Sequence, residues 1–389
     1  ALDKWDGRSL PEEVTRGQKF AFITPQARVI KSPYAFKPRG ASGIVMSELF
    51  PNLANIADDI TVIRSMRTNE INHGSGELFF NTGHGRMGRP SFGAWASYGL
   101  GTENKDLPAF VVLKDGPPAA GTSVWSSGFL SSRHQGVEFR KGKQPILFID
   151  SPENTSREER RDVVDAIKRL NGKAFERYRD PEIATRISQY EMAFRMQASV
   201  PELIDTSNEP QHVFDMYGAK PGDGSFASNC LLARRLAERG TRFIQLYHRG
   251  WDHHGGVKKG VLTTAKHVDK ASAALIRDLK DRGMLDDTLV IWGGEFGRTP
   301  MAQGSGRDHH MKGFSFWLAG GGIRGGISHG NTDDLGYHSV EDVVTVHDFH
   351  ATMLHLLGVN HEKFTFKFQG LDFRLTGVEE AHVLKTLLA

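Results

Sequence analysis

From Ser225 onward the sequence alternates helical and strand-like segments, and this order restricts the fold more than any other feature. SFASNCLLARRLAERG reads as a helix, RFIQLYH as a strand and GVLTTAKHVDKASAALIRDLKDRG as a long helix. TLVIWGG and FSFWLAGG then read as strands, and TVHDFHATMLHLLG as a closing helix. Such alternation predicts a three-layer α/β/α arrangement around a mostly parallel sheet. Two of the strands run directly into polar clusters, RGWDHHGG and EFGRTP, and GRDHH follows. In an open parallel sheet ligands bind outside the carboxyl ends of the strands. Asp252, His253, His254, Glu295, Asp308, His309 and His310 are therefore expected to converge, carried by neighbouring strands.

Carboxylate oxygens mixed with neutral imidazoles suit zinc, manganese or iron better than calcium, which prefers oxygen alone. The chain has 17 histidines, so some adjoin carboxylates by chance. Two clusters and a Glu in a Gly-rich turn are harder to dismiss, because charged and imidazole groups gathered at loops cost stability unless they bind something. A divalent metal, with zinc or manganese favoured, is the expected cofactor.

At 389 residues the chain is long enough for a sizeable core. It is read as a single domain over 1–389, with an irregular arm over 1–45 and a helical insertion over about 155–220. A formal net charge of +3 argues against a nucleic-acid surface but leaves room for a local cationic pocket. No apolar run is long enough to span a membrane. The one cysteine, Cys230, excludes an intramolecular disulfide and reads as a buried thiol in a helix. The opening ALDKWDGRSLP reads like the interior of a longer precursor, so the lack of a signal peptide does not establish a cytoplasmic location; export to the periplasm or the cell exterior is the expectation.

Earlier in the chain a helix is predicted over 47–57 and a strand in DITVIRSM, which delivers Arg64 and Arg67. The stretch from Asn69 to Trp95, dense in Gly, Asn, His and Arg, reads as a glycine-rich loop before a helix at 91–100. There backbone N–H groups and Arg64, Arg67, Arg86 and Arg89 are candidates to clamp an oxyanion. His73, Ser75 and Thr82 are its possible ligands or nucleophiles; the alternative is a solvated loop. DLPAFVVLKD and PILFID add strands, and Trp125, Phe129 and His134 are candidates to line a pocket. Tyr190, Met192, Phe194 and Met196 read as packing, and His347, His350 and His355 as structural residues of the last helix.

INHGSGELFFNTG, YHRGWDHHG, WGGEFGRT, GRDHH, WLAGGGIRGG, HDFHATMLHLLG and FQGLDFRLT occur in an order that resembles the sulfatase-like family known as domain of unknown function 1501, in the alkaline phosphatase superfamily. The resemblance covers nearly the whole chain. It implies an alkaline-phosphatase-like fold and a metal site in which Asp252 and His254 pair with His309 or His310. It also likens GGEFGRT to an Asp-His-Gly ligand turn, with Glu295 for Asp and Phe296 for His. The Cys/Ser-x-Pro-x-Arg signature of formylglycine sulfatases is absent.

The expected activity is metal-dependent hydrolysis of a phosphate or sulfate ester, the substrate being a small anionic ester or a sulfated glycan. Asp252, His254, Glu295, Asp308, His309 and His310 are the candidate ligands. Arg64, Arg67 and Arg298 are candidates for anion stabilisation, Ser75 for the nucleophile and His73 for ligand or general acid. The competing expectation is a metal- or carbohydrate-associated binding module without catalysis. A metal-dependent phosphomutase is weakened by the lack of a clear nucleophile.

Overall fold

The computed structural model describes residues 2–142, 145–146, 151 and 154–389. Residues 147–150 of the expected PILFID strand, up to its end at Asp150, lie outside the described residues.

Two sheets carry the core. The larger has strand order Ile327–His329, Ile60–Arg67, Phe314–Ala319 and Val290–Trp292, and Val344–Thr345 also pairs with Ile60–Arg67. Phe314–Ala319 is antiparallel to both of its neighbours, whereas Ile327–His329 and Val344–Thr345 run parallel to Ile60–Arg67. The smaller sheet is wholly parallel, with Phe110–Asp115 between Val137–Phe139 and Phe243–His248. Four two-stranded ribbons complete the β structure among the described residues.

This overturns the expected mostly parallel central sheet and, with it, the alkaline-phosphatase-like architecture. The cause lies between Trp292 and Phe314. A parallel pair needs a crossover, usually helical, whereas antiparallel neighbours can be joined by a turn or ribbon. Here the intervening chain forms the hairpin Gly297–Gln303 with Gly306–His310, and it returns antiparallel. Phe243–His248 and Val290–Trp292, expected side by side, belong to different sheets.

Helices Phe226–Glu238 and Val257–Asp281 pack around Cys230, Leu231, Val268, Ala271 and Ala274, all buried. The core of the larger sheet gathers Ile63, Met66, Phe316, Leu318, Phe349 and Met353. Helix Val346–Leu356 is closed at its start by a capping box between Thr345 and Asp348. Its His347 and His350 are buried and donate to the carbonyls of Gly83 and Phe80 at 3.0 and 2.7 Å, while His355 is exposed.

The insertion is an antiparallel pair, Arg157–Tyr178 and Pro181–Ile204, turned at the left-handed Arg179. Arg161 bridges the two helices to Glu191. Met196 is buried there, and Tyr190 faces out.

Two local expectations are corrected. Residues 44–47 form a strand and Leu53–Asp59 a 3₁₀ helix, in place of a helix over 47–57. The glycine-rich stretch is not all loop, because His73–Thr82 is an α-helix ended by Gly83 at φ 70°. The arm, with Leu10 and Val29 buried against Met301, Leu335 and Tyr337, packs onto the hairpin. Trp125 and His134 are buried. Among the described residues no helix is long and apolar enough to cross a membrane.

Candidate metal centre

His73 is the first residue of its helix, after the extended N-cap Asn72. Gly76, one turn later, leaves the space that the 294–296 turn occupies. A Cβ there would stand 3.1 Å from both Glu295 Cγ and Phe296 Cδ1. That close approach sets Glu295 Oε1 2.5 Å from His73 Nδ1.

Asp252 and His254 lie in the loop beyond Phe243–His248, and the loop is tied to the hairpin where Arg307 N donates to the His253 carbonyl at 3.0 Å. Within the hairpin, His309 stands opposite Arg298. Successive strand side chains alternate between faces, which separates His309 from Asp308 and His310. His309 turns into the cluster. Asp308 and His310 turn away from it.

The cluster is centred on the Asp252 carboxylate. Oδ2 lies 3.2 Å from His73 Nε2, and Oδ1 lies 2.9 Å from His254 Nε2, 3.3 Å from His309 Nε2 and 2.6 Å from Arg298 Nη1. Single ligand atoms of His73, Asp252 and His309 all fall within 4.8 Å of one another, and the group can hold a metal ion.

The rings are oriented from behind. The Nδ1 atoms of His73, His309 and His254 face Glu295 Oε1, the Ile71 carbonyl at 2.7 Å and Gln303 Oε1. With Nδ1–H donated to oxygen, each ring in its neutral form would present its Nε2 lone pair to the cluster, the arrangement by which outer partners orient metal-binding histidines. His254 Nε2 and His309 Nε2 are 3.0 Å apart. Two lone pairs at that distance repel unless a proton or a cation stands beside them.

His73 Nε2 and Arg298 Nη1 are both buried, and both approach Asp252 without an aligned hydrogen bond. The groups surround a point more than they pair with each other. Ligand atoms bonded to tetrahedral zinc at about 2.0–2.1 Å sit roughly 3.3 Å apart, and the separations of 2.9–3.3 Å among these nitrogens and Asp252 are of that size.

The charges agree with this geometry. Burial alone would raise the Asp252 carboxyl, but Arg298 together with His73 and His254 holds it at about 2, so it is ionised. The hydrogen bond to Glu295 raises His73 above the usual histidine range against the opposing effect of burial. A metal ion at Nε2 would thus displace a proton. Burial pushes His309 down, toward the neutral form a ligand needs.

Asp308 and His310 have other partners. Asp308 is fully buried, and its Oδ2 accepts the backbone N–H groups of Ala21, Phe22 and Ile23 at 3.2, 2.9 and 3.2 Å. His310 Nε2 meets the Tyr337 carbonyl, and burial pushes its imidazole down to about 4. Arg64 and Arg67 are exposed on their strand and form no ion pair with a described carboxylate. The Ser75 hydroxyl donates to the Asn72 carbonyl at 3.3 Å and makes no hydrogen bond to the cluster. Thr82 bonds to the Leu78 and His84 carbonyls.

Sequence reasoning missed Gln303 and the Ile71 carbonyl, which orient two of the rings. The alternation within GRDHH was the available signal for preferring His309 to His310.

Fold and site together define a mixed α/β protein with a histidine–carboxylate cluster of metal-binding form. The family model described as "Protein of unknown function (DUF1501)" matches residues 1–388, and the chain belongs to that family. No curated protein matches it.

Proposed function

We propose that the protein is a metal-dependent hydrolase of anionic esters, phosphate or sulfate, with His73, Asp252, His254 and His309 holding the ion. The observation that carries this reading is the convergence of the histidine Nε2 atoms on one ionised carboxylate, each ring held from behind by an oxygen acceptor. A bound divalent ion would supply Lewis acidity toward an ester oxygen and lower the pKa of water.

The chain's own residues fit the rest of the task. Arg298 lies against Asp252 and adds the positive charge that a phosphate or sulfate oxygen requires. The amino end of helix His73–Thr82, with its partial positive charge, stands at the same place and favours an anion. Glu295 keeps His73 oriented and is placed to take or return its proton. No side-chain nucleophile is assigned, since the Ser75 hydroxyl is directed to the Asn72 carbonyl.

The test is elemental analysis of the purified protein, followed by assays of the zinc- and manganese-loaded forms on aryl phosphate, aryl sulfate and carboxylic esters. Bound metal with turnover of a phosphate or sulfate ester, abolished in His309→Ala, supports the reading. Tight metal binding with no turnover of any ester would replace it with a metal-bearing binding module.

A further inference from the structure

The arm residues 20–23 cross the mouth of the cluster and are fixed there. Asp308 accepts three successive N–H groups from Ala21, Phe22 and Ile23, and its other oxygen accepts the N–H of His309 at 2.8 Å. Phe20 packs near Tyr337, and Ile23 joins the buried group around Val29 and Met301. The side chains of Phe20 and Ile23 thus turn inward.

Phe22 is different. Its side chain is 62% exposed, yet its ring stands edge-on to His254 at 5.1 Å and to His309 at 5.5 Å. A single exposed aromatic needs no explanation on a free surface. This one is held beside two candidate metal ligands by a backbone whose N–H groups converge on one buried carboxylate. Its outer face is open to solvent, and the fold gains little from leaving it there.

We infer that Phe22 is a substrate-contacting residue that selects esters whose organic part carries a ring with an apolar face, either aryl or sugar. This rests on the hydrolase reading for the site, but the contact is measurable without turnover. The anionic group would lie beside Arg298 and the ion that His73, Asp252 and His309 would hold, and the ring would lie against Phe22. Ring contacts of this kind contribute about 0.5–1.5 kcal/mol, which corresponds to roughly two- to tenfold in affinity.

The experiment compares the zinc-loaded parent, Phe22→Ala and Phe22→Trp for binding, by titration calorimetry, and for turnover. The ligands are phenyl phosphate, phenyl sulfate, a sulfated monosaccharide and the methyl esters of both acids. In Phe22→Ala the ring-bearing ligands should weaken about five- to tenfold and the methyl esters less than twofold, with zinc content unchanged. Phe22→Trp should restore the ring-bearing ligands. Loss confined to the phenyl compounds assigns an aryl substrate, and loss confined to the sugar assigns a glycan. Ring-selective loss of binding without turnover in the parent retains the contact and rejects the hydrolase. Equal weakening of ring and methyl ligands, no change in either, or no ring binding by the parent overturns the inference.

Discussion

Two clusters of charge stand out in this molecule, one largely buried and the other open to solvent at Asp252, whose side chain is 42% exposed, and they are built in opposite ways. Around Arg234, whose side chain is 2% exposed, the guanidinium meets Asp278, Glu238 and Glu209 at 2.9, 2.5 and 2.7 Å. Arg282 spans Asp278 and Glu238, Arg235 takes Glu209 and the Leu203 carbonyl, and Tyr217 donates to Asp278. Three guanidinium groups face three carboxylates, and the positions between them are taken. Around Asp252, imidazole nitrogens and a guanidinium converge on one carboxylate, and the Nε2 atoms of His254 and His309 face each other at 3.0 Å. In the first cluster every carboxylate has a guanidinium partner. On the proposed reading the second is completed by a cation.

The largest expected effect comes from breaking the complete cluster. Arg234→Ala leaves the buried carboxylates of Asp278 and Glu209, with the more exposed Glu238, sharing two remaining guanidinium groups, and breaking a buried pair in this way costs about 3–5 kcal/mol. Urea unfolding should show that loss, and it should be the same with and without a chelator. A loss below about 1 kcal/mol would mean that the cluster is well solvated and that the contrast between the regions is false.

The second effect comes from completing the other cluster. Metal that binds only the folded state stabilises it by about 2.7 kcal/mol when its free concentration is a hundredfold above the dissociation constant. Zinc or manganese should therefore raise the melting temperature of the parent, and chelation should lower it. Asp252→Ala should abolish this response, whereas a folded Glu238→Gln variant should keep it. Equal responses in parent and Asp252→Ala would place the bound ion elsewhere.

The same contrast explains what could be read from the sequence. Apolar runs identified the strands Ile60–Arg67, Phe110–Asp115, Phe243–His248 and Phe314–Ala319, because a buried strand shows its composition locally. Their directions were not readable, because direction depends on whether the intervening chain makes a crossover helix or a hairpin. Between Trp292 and Phe314 it makes the hairpin. Asp252, His254, Glu295 and His309 are named from clusters of polar residues at strand ends, and the structure brings them together although three different sheets supply them. Asp308 and His310 were named for the same reason, but they satisfy the arm and Tyr337. Gln303 and Phe22 carried no local signal, since their partners lie 49 residues or more away in sequence.

A third effect separates buried neutral histidines from the cluster. His134 is packed between Ser97 Oγ at 3.0 Å and Arg133, and burial pushes it down from 6.5 to about 4. Its folded pKa lies below its unfolded one, so the neutral ring contributes its full stability above pH 6.5. That contribution is lost as pH falls from 6.5 toward 4. Linkage gives a loss of about 2 kcal/mol at pH 5 from this residue. His134→Gln should flatten the fall in stability over that window, as measured by urea unfolding at pH 7, 6 and 5. An unchanged slope would transfer the effect to other buried histidines such as His350, pushed down to about 3.

The smallest effect sharpens the comparison most, because it acts on a residue that touches no metal. Gln303 Oε1 faces His254 Nδ1, and that partner decides which nitrogen of the ring keeps its lone pair. In Gln303→Leu the ring can turn or shift its proton, and Nε2 would no longer be held 2.9 Å from Asp252 Oδ1. Loss of such an outer partner typically costs 10- to 100-fold in metal affinity, and an uncharged amide belongs near the lower end, about 1.4 kcal/mol. Competition against a chromogenic chelator should show roughly tenfold weaker zinc binding, with metal-free stability changed by less than 0.5 kcal/mol, as for most surface substitutions. If affinity is unchanged, His254 is not a ligand. The centre then reduces to His73, Asp252 and His309, leaving an open position for water or substrate, which is the form catalytic zinc sites take.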